Sequence, residues 1–239
     1  MSEKYVIVTG GAHNIGAAIS KRMKEDGFSP LVLDIKEPEE SGLGDFFKID
    51  LTDLNATRDL LSEIVNKYDV TRVVNNVGLV KPAPVEEARI EDFELLMNLN
   101  VRTALLTTQA TLPAMKRAGF GRIVCNASRV VLGKELRTNY SASKGAIQSM
   151  VRTWALELAQ HGVTVNCVAP GPIATTAFWE NNPPNSERAK KIIDSVPVKR
   201  MGEPSEVANA ASFFLDERSG FVTGQTIFVC GGITVGLSN

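Results

Sequence analysis

A tyrosine and a lysine stand four residues apart in Tyr140-Ser141-Ala142-Ser143-Lys144. On a helix the two share one face, with Cβ atoms about 6 Å apart. An ammonium held beside a phenol favours the phenolate and draws a reference pKa near ~10 toward neutral pH. Tyr140 is thereby a candidate general acid–base, with Lys144 as its activating partner. The same spacing also occurs on ordinary exposed helix faces, so its weight depends on its surroundings. A second candidate is the turn Thr9-Gly10-Gly11-Ala12-His13-Asn14-Ile15-Gly16. Small residues there let the backbone approach a pyrophosphate, and the following helix N-terminus offers free N–H groups and a positive dipole end. Glycines also serve such turns for steric reasons alone. Asp34 closes the next apolar run, where a carboxylate can accept both hydroxyls of an adenosine ribose and repel a 2′-phosphate. A helix cap or a solvated strand end is the alternative for it.

Such residues act together only if the chain brings several strand ends to one place. Apolar runs at Tyr5–Thr9, Leu31–Asp34, Phe46–Asp50, Arg72–Asn75, Arg122–Ala127, Thr164–Val168 and Thr226–Val229 read as strands, most of them apolar on both faces. Helical patterns fall between them near 15–26, 53–67, 91–117, 139–160 and 204–215. Gly27 and Gly162 are placed to close two of these helices, and Thr52-Asp53 and Pro204-Ser205 to open two. The alternation predicts an α/β single-domain, doubly wound Rossmann fold: a parallel sheet of about seven strands flanked by helices on both faces. No linker divides residues 1–239. Lys36–Gly44 reads as a surface loop. Pro170–Arg200, rich in proline and carrying Phe178-Trp179, reads as a long loop serving as a substrate lid over about 171–200.

Composition narrows the function classes. With 26 basic and 27 acidic residues the net charge is -1, without the basic excess of a nucleic-acid binder. No apolar run approaches the ~20 residues that span a bilayer, and Met1–Lys4 leads directly into a strand, so no membrane partner and a cytoplasmic location are expected. Cys125, Cys167 and Cys230 lie apart in apolar runs and read as buried thiols. His13 and His161 are the only histidines, and no ligand cluster suggests a metal.

The glycine turn with Asp34 resembles the short-chain dehydrogenase/reductase family, whose turn reads TGxxxGxG. Thr9, Gly10 and Gly16 satisfy it, while Asn14 replaces the middle glycine, and Asn is the residue type best able to take a positive φ in its place. The resemblance runs over about residues 5 to 235 and is similar in much of its length to 3-oxoacyl-carrier-protein reductases. It implies adenine contacts at Asp50 and Leu51, a cofactor-facing turn at Asn76 and Gly78 in Asn75-Asn76-Val77-Gly78, and nicotinamide contacts at Pro170, Gly171, Ile173 and Thr175. His13, Asn14, Ile15 and Gly16 would meet the phosphates, and Tyr140 and Lys144 the nicotinamide ribose. His13 stands where NADP-preferring members carry a cation, but with Asp34 the cofactor is expected to be NAD rather than NADP. The run Gly121–Ser128 is similar to the strand leading to the catalytic serine. Ser128 precedes Tyr140 by 12 residues, about one fewer than in many members. Asn100 matches the fourth member of the tetrad, holding a relay water through its side chain or a neighbouring carbonyl, with Asn98 as competitor.

The implied reaction is hydride transfer between nicotinamide and a secondary alcohol or ketone. Tyr140 moves the proton, Ser128 steadies the oxygen, Lys144 lowers the tyrosine pKa, and Asn100 completes the relay. Arg129, Leu136, Phe178 and Trp179 are candidate substrate contacts for a small molecule; Arg129 facing solvent is the alternative. Reduction of a 3-oxoacyl thioester and a non-catalytic dinucleotide-binding regulator are the rival functions. Apolar faces carrying Leu105, Leu106 and Leu112, and Met150, Trp154 and Leu158, together with the last strand, imply a homotetramer by the same resemblance.

Overall fold

The computed structural model describes residues 3–236. Seven parallel strands form one sheet in the order β3-β2-β1-β4-β5-β6-β7. They are β1 (Tyr5–Thr9), β2 (Ser29–Asp34), β3 (Asp45–Lys48), β4 (Val70–Asn75), β5 (Gly121–Asn126), β6 (Val163–Pro170) and β7 (Thr226–Val229). The helices are α1 (Asn14–Glu25), α2 (Leu54–Lys67), α3 (Ile90–Leu96), α4 (Thr103–Ala118), α5 (Thr138–Leu158), α6 (Thr176–Asn181), α7 (Glu187–Ser195) and α8 (Pro204–Leu215). The expected doubly wound fold is therefore present. Strands buried on both faces explain the near-continuous runs of Val and Ile: all of Val6, Ile7 and Val8 are buried.

Two cores follow from the two faces of the sheet. Ile7, Leu31, Val73, Ile123 and Val165 pack under α2, α4 and α5, whereas Val6, Val8, Val74, Val124 and Val168 pack under α1 and α8. Leu106, Trp154 and Leu158, assigned above to an assembly face, are buried in the first core. No helix among the described residues is long and apolar enough to cross a membrane.

Strand order reverses direction at β1, which pairs with β2 on one side and β4 on the other. The carboxyl ends on either side of that switch diverge and open a crevice, the usual ligand site of such sheets. Thr9, Asp34, Asn75, Asn126 and Pro170 are the last residues of their strands, so the sequence candidates gather there.

Three elements differ from their expected form. β3 ends at Lys48 rather than Asp50, because it pairs only with β2, which runs out at Asp34. The pattern at 91–117 is not one α-helix: α3 passes into a π-helical stretch, Met97–Arg102, before α4 begins. The lid is not an irregular loop but carries α6 and α7.

Candidate active site

The glycine turn is forced by close packing. A Cβ on Gly16 would lie 1.8 Å from the Gly10 carbonyl oxygen, and one on Gly10, at φ +60°, would lie 2.9 Å from Val77 Cα. Asn14 takes φ 51°, as its replacement of a glycine requires. The oxygen of its amide is engaged, since the Thr176 N–H at the start of α6 donates to Asn14 Oδ1 at 2.8 Å. His13 precedes α1 in an extended conformation without capping the helix, and no acidic residue occupies the first turn. The first N–H groups of α1 are thus left for an outside acceptor. His13 Nε2 is buried without a hydrogen-bond partner.

Asp34 faces this turn. One carboxylate oxygen accepts from the Ala12 N–H at 3.1 Å, and the other from Ile35 N–H at 2.8 Å, which pins the turn to β2. Carboxylate lone pairs remain beyond those bonds. Asn76 acts as a tie rather than a free contact. Its Nδ2 donates to the carbonyls of Thr9 and Gly10 at 3.2 and 2.9 Å, and its Oδ1 accepts from Asn126 Nδ2 at 2.8 Å. Asp50 accepts from the Thr52 N–H and hydroxyl, at 2.9 and 2.7 Å, and Leu51 is buried beside it.

Ser128 follows β5 and Tyr140 lies in the first turn of α5, both on the crevice wall. Burial pushes the Tyr140 phenol up from its ordinary value; a hydrogen bond with Ser128 and the charge of Arg137 oppose this. Lys144, expected to lower the tyrosine pKa, is not among the groups that shift it; burial dominates. The cause is Lys144's own position: its Nζ lies 5.8 Å from the Tyr140 ring centroid and donates to the Asn126 carbonyl at 2.6 Å. Lys144 is itself buried, which brings its ammonium down to about 8. Gly78 makes room for it, since a Cβ there would stand 3.1 Å from Nζ and 3.5 Å from Asn100 Oδ1.

Asn100 sits in the π-helical stretch, which turns its side chain inward. Oδ1 accepts from the Leu79 N–H at 2.9 Å, and Nδ2 donates to the Leu79 carbonyl and the Ser143 hydroxyl, each at 3.0 Å. Of the two forms of relay expected, the side-chain one is already consumed. The side chain of Asn98, its competitor, accepts from Arg102 at 3.0 Å. The three cysteines are buried thiols; burial raises Cys125 to about 11 and pushes Cys167 upward too.

The crevice has a volume near 540 Å³. Ile15, Pro170, Gly171, Ile173 and Thr175 line it, as do the substrate candidates Arg129, Leu136 and Phe178. Trp179 does not; it packs edge-on against Phe178, ring centroids 4.9 Å apart. Lys134, Arg137 and Arg188 line it without having been singled out from the sequence. An open helix N-terminus and the orphaned His13 nitrogen beside it fit a dinucleotide at this end of the sheet.

Residues 10–234 match the family model described as enoyl-(acyl carrier protein) reductase. The glucose 1-dehydrogenase of Gluconobacter oxydans is 35% identical, over 97% of this chain and 92% of that protein. The 3-oxoacyl-[acyl-carrier-protein] reductase of Thermotoga maritima is 33% identical, over 97% and 98%. A crystal structure from Beutenbergia cavernae, assigned as an NAD(P)-dependent gluconate 5-dehydrogenase with NADP at low occupancy, superposes with a TM-score of 0.92 at 28% identity, covering 99% of this chain and 98% of that one.

Proposed function

The chain belongs to the short-chain dehydrogenase/reductase family, enzymes that act on CH–OH groups with NAD(P), and from that premise we propose that it exchanges a hydride between NAD(H) and a secondary alcohol or ketone, with Tyr140 moving the proton. The observation that carries the reading is the meeting of Ser128 and Tyr140 on one crevice wall, with the Lys144 ammonium behind them. The nicotinamide, when bound, supplies or accepts the hydride.

The Ser128 hydroxyl donates to the reacting oxygen and holds it against the phenol. Burial keeps Tyr140 protonated, which suits donation to a ketone oxygen; Ser128 and the charge of Arg137 favour the reverse transfer from an alcohol. Lys144 contacts the cofactor ribose while anchored on the Asn126 carbonyl. Asn100, its side chain engaged, serves the proton relay through its main-chain carbonyl. The N–H groups at Asn14–Gly16 hold the pyrophosphate, and Asp34 holds the ribose hydroxyls, which supports NAD over NADP. The working form is a cytoplasmic homotetramer. A second reading, reduction of a 3-oxoacyl thioester, is favoured by the likeness to the Thermotoga maritima reductase.

The test is Tyr140→Phe with both cofactors. Turnover should fall on the order of 10³-fold, the scale of a lost general acid–base, with NADH affinity retained. The wild type should favour NADH over NADPH in kcat/KM. Retained turnover in the variant assigns proton transfer to another group, and equal use of NADPH removes Asp34 from the ribose.

A further inference from the structure

Four cations converge on the crevice beside Tyr140, and among the described residues no carboxylate lines it with them. Arg129 opens the turn after Ser128, Lys134 and Arg137 lie on the way into α5, and Arg188 reaches in from the lid helix α7. Among the described residues none of the four is in an ion pair. Glu135 and Glu187, their neighbours in sequence, are exposed and do not line the crevice. The guanidinium of Arg137 donates only to the Leu136 carbonyl, at 2.9 Å.

Lys134 and Arg137 feel the others. Lys134 is brought down to about 8, by burial first and then by Arg129, Arg137 and Arg188. Arg137 is lowered by burial and then by Arg188, and Arg129 by burial. Like charges gathered in a partly desolvated cleft repel, and an anion that enters relieves the repulsion while gaining charge-assisted hydrogen bonds. The cofactor's phosphates do not account for them. Those belong at the N-terminus of α1, while the four cations sit on the Ser128–Tyr140 connection and the lid.

We infer that the substrate of this crevice is a polyanion, a compact hydroxy or oxo compound bearing two or more carboxylate or phosphate groups. Arg129, Lys134, Arg137 and Arg188 hold its charges, and its carbinol carbon sits at Ser128 and Tyr140. Val80, Pro82, Leu136, Phe178 and Ile192 provide apolar walls for a short carbon skeleton. The placement of the reacting carbon rests on the oxidoreductase reading; the anion site itself does not.

The experiment titrates the full chain by calorimetry with succinate, glycerol 3-phosphate and neutral succinamide, and separately with NADH. At least one anion should bind on the order of tenfold or more tighter than succinamide, and its affinity should weaken as salt rises. The better anion distinguishes a carboxylate from a phosphate substrate. Arg129→Gln and Arg188→Gln should each lose on the order of tenfold in that affinity. Arg188 is exposed on the lid, so its variant tests the site without threatening the fold. Arg188→Lys should recover part of the loss, and Arg218→Gln, remote from the crevice, should lose none. Equal binding of anions and succinamide, or an unchanged Arg188→Gln, overturns the inference. Failure of NADH to bind would overturn the oxidoreductase reading instead, with the succinate result still deciding this one.

Discussion

Lys144 is held in a place that costs stability. Its ammonium is buried beside the neutral thiols of Cys125 and Cys167, with one close acceptor in the Asn126 carbonyl. A lysine brought to about 8 from the ordinary value near 10.5 binds its proton less well folded than unfolded. At pH 7 this costs on the order of 3 kcal/mol. Lys144→Met removes that cost but leaves the Asn126 carbonyl without its donor, which returns about 1–2 kcal/mol. The variant is therefore expected to unfold at higher urea than the wild type at pH 7, by about 1–2 kcal/mol, while losing turnover. The pH dependence has a definite sign. Between about 8 and 10 the unfolded lysine keeps its proton and the folded one has lost it, so wild-type stability rises with pH relative to the variant. The gap seen at pH 7 should shrink by pH 9.5, and comparing the two proteins at each pH cancels groups remote from Lys144. A gap that widens with pH would mean that the ammonium is stabilised where it sits.

Among the elements, the lid and the glycine turn are coupled through one side chain. Thr175 caps α6 from within, its hydroxyl accepting from the Phe178 N–H, while Asn14 caps it from the opposite wall of the crevice. Asn14→Gly keeps the positive φ without strain but deletes that acceptor. Global stability should change by no more than about 1 kcal/mol, while hydrogen exchange at the Thr176 amide should quicken roughly fivefold or more, the equivalent of one lost hydrogen bond. Unchanged protection at Thr176 would show that the contact does not hold the lid.

The same elements explain what could be read from the chain beforehand. Pro204–Leu215 matched residue for residue, because Pro204 stands at the first helical position and Glu203 and Glu206 form a reciprocal cap. The glycine turn and the Tyr140–Lys144 pair were legible because their chemistry lies within a few consecutive residues. α6 and α7 were not, since six and nine residues carry too little periodicity to show against Pro183 and Pro184. The π-helical stretch is invisible to a 3.6-residue pattern, as its purpose is to aim Asn100 at Leu79 and Ser143, far away in sequence. Of the cation cluster only Arg129 was read in advance; Arg188 joins it from the lid helix only through the fold.

At the scale of the whole molecule, apolar side chains remain where the chain's own packing cannot reach. Phe221 is fully exposed and Leu156 84% exposed, and Leu105 and Ile227 are partly so. β7 is an edge strand, paired on one side only with β6. Leu105 lies on α4 and Leu156 on α5, while Phe221 lies before β7 and Ile227 within it, so the exposed positions fall into two separate regions. The proposed homotetramer would need each region to be self-complementary, the first pairing helices and the second covering the sheet edges, which closes with dihedral symmetry. Light scattering should then give about 104 kDa, four chains of 25.9 kDa. A charge at the sheet edge should interrupt one interface and spare the other. Phe221→Asp with Ile227→Asp is expected to give a dimer, and Leu156→Asp with Leu105→Asp the complementary dimer. Because Phe221 and Leu156 touch little within the chain, the substitutions should leave the monomer fold intact by circular dichroism. A wild type that elutes as a monomer would mean that these side chains stay in water, and the two-interface argument would fall with it.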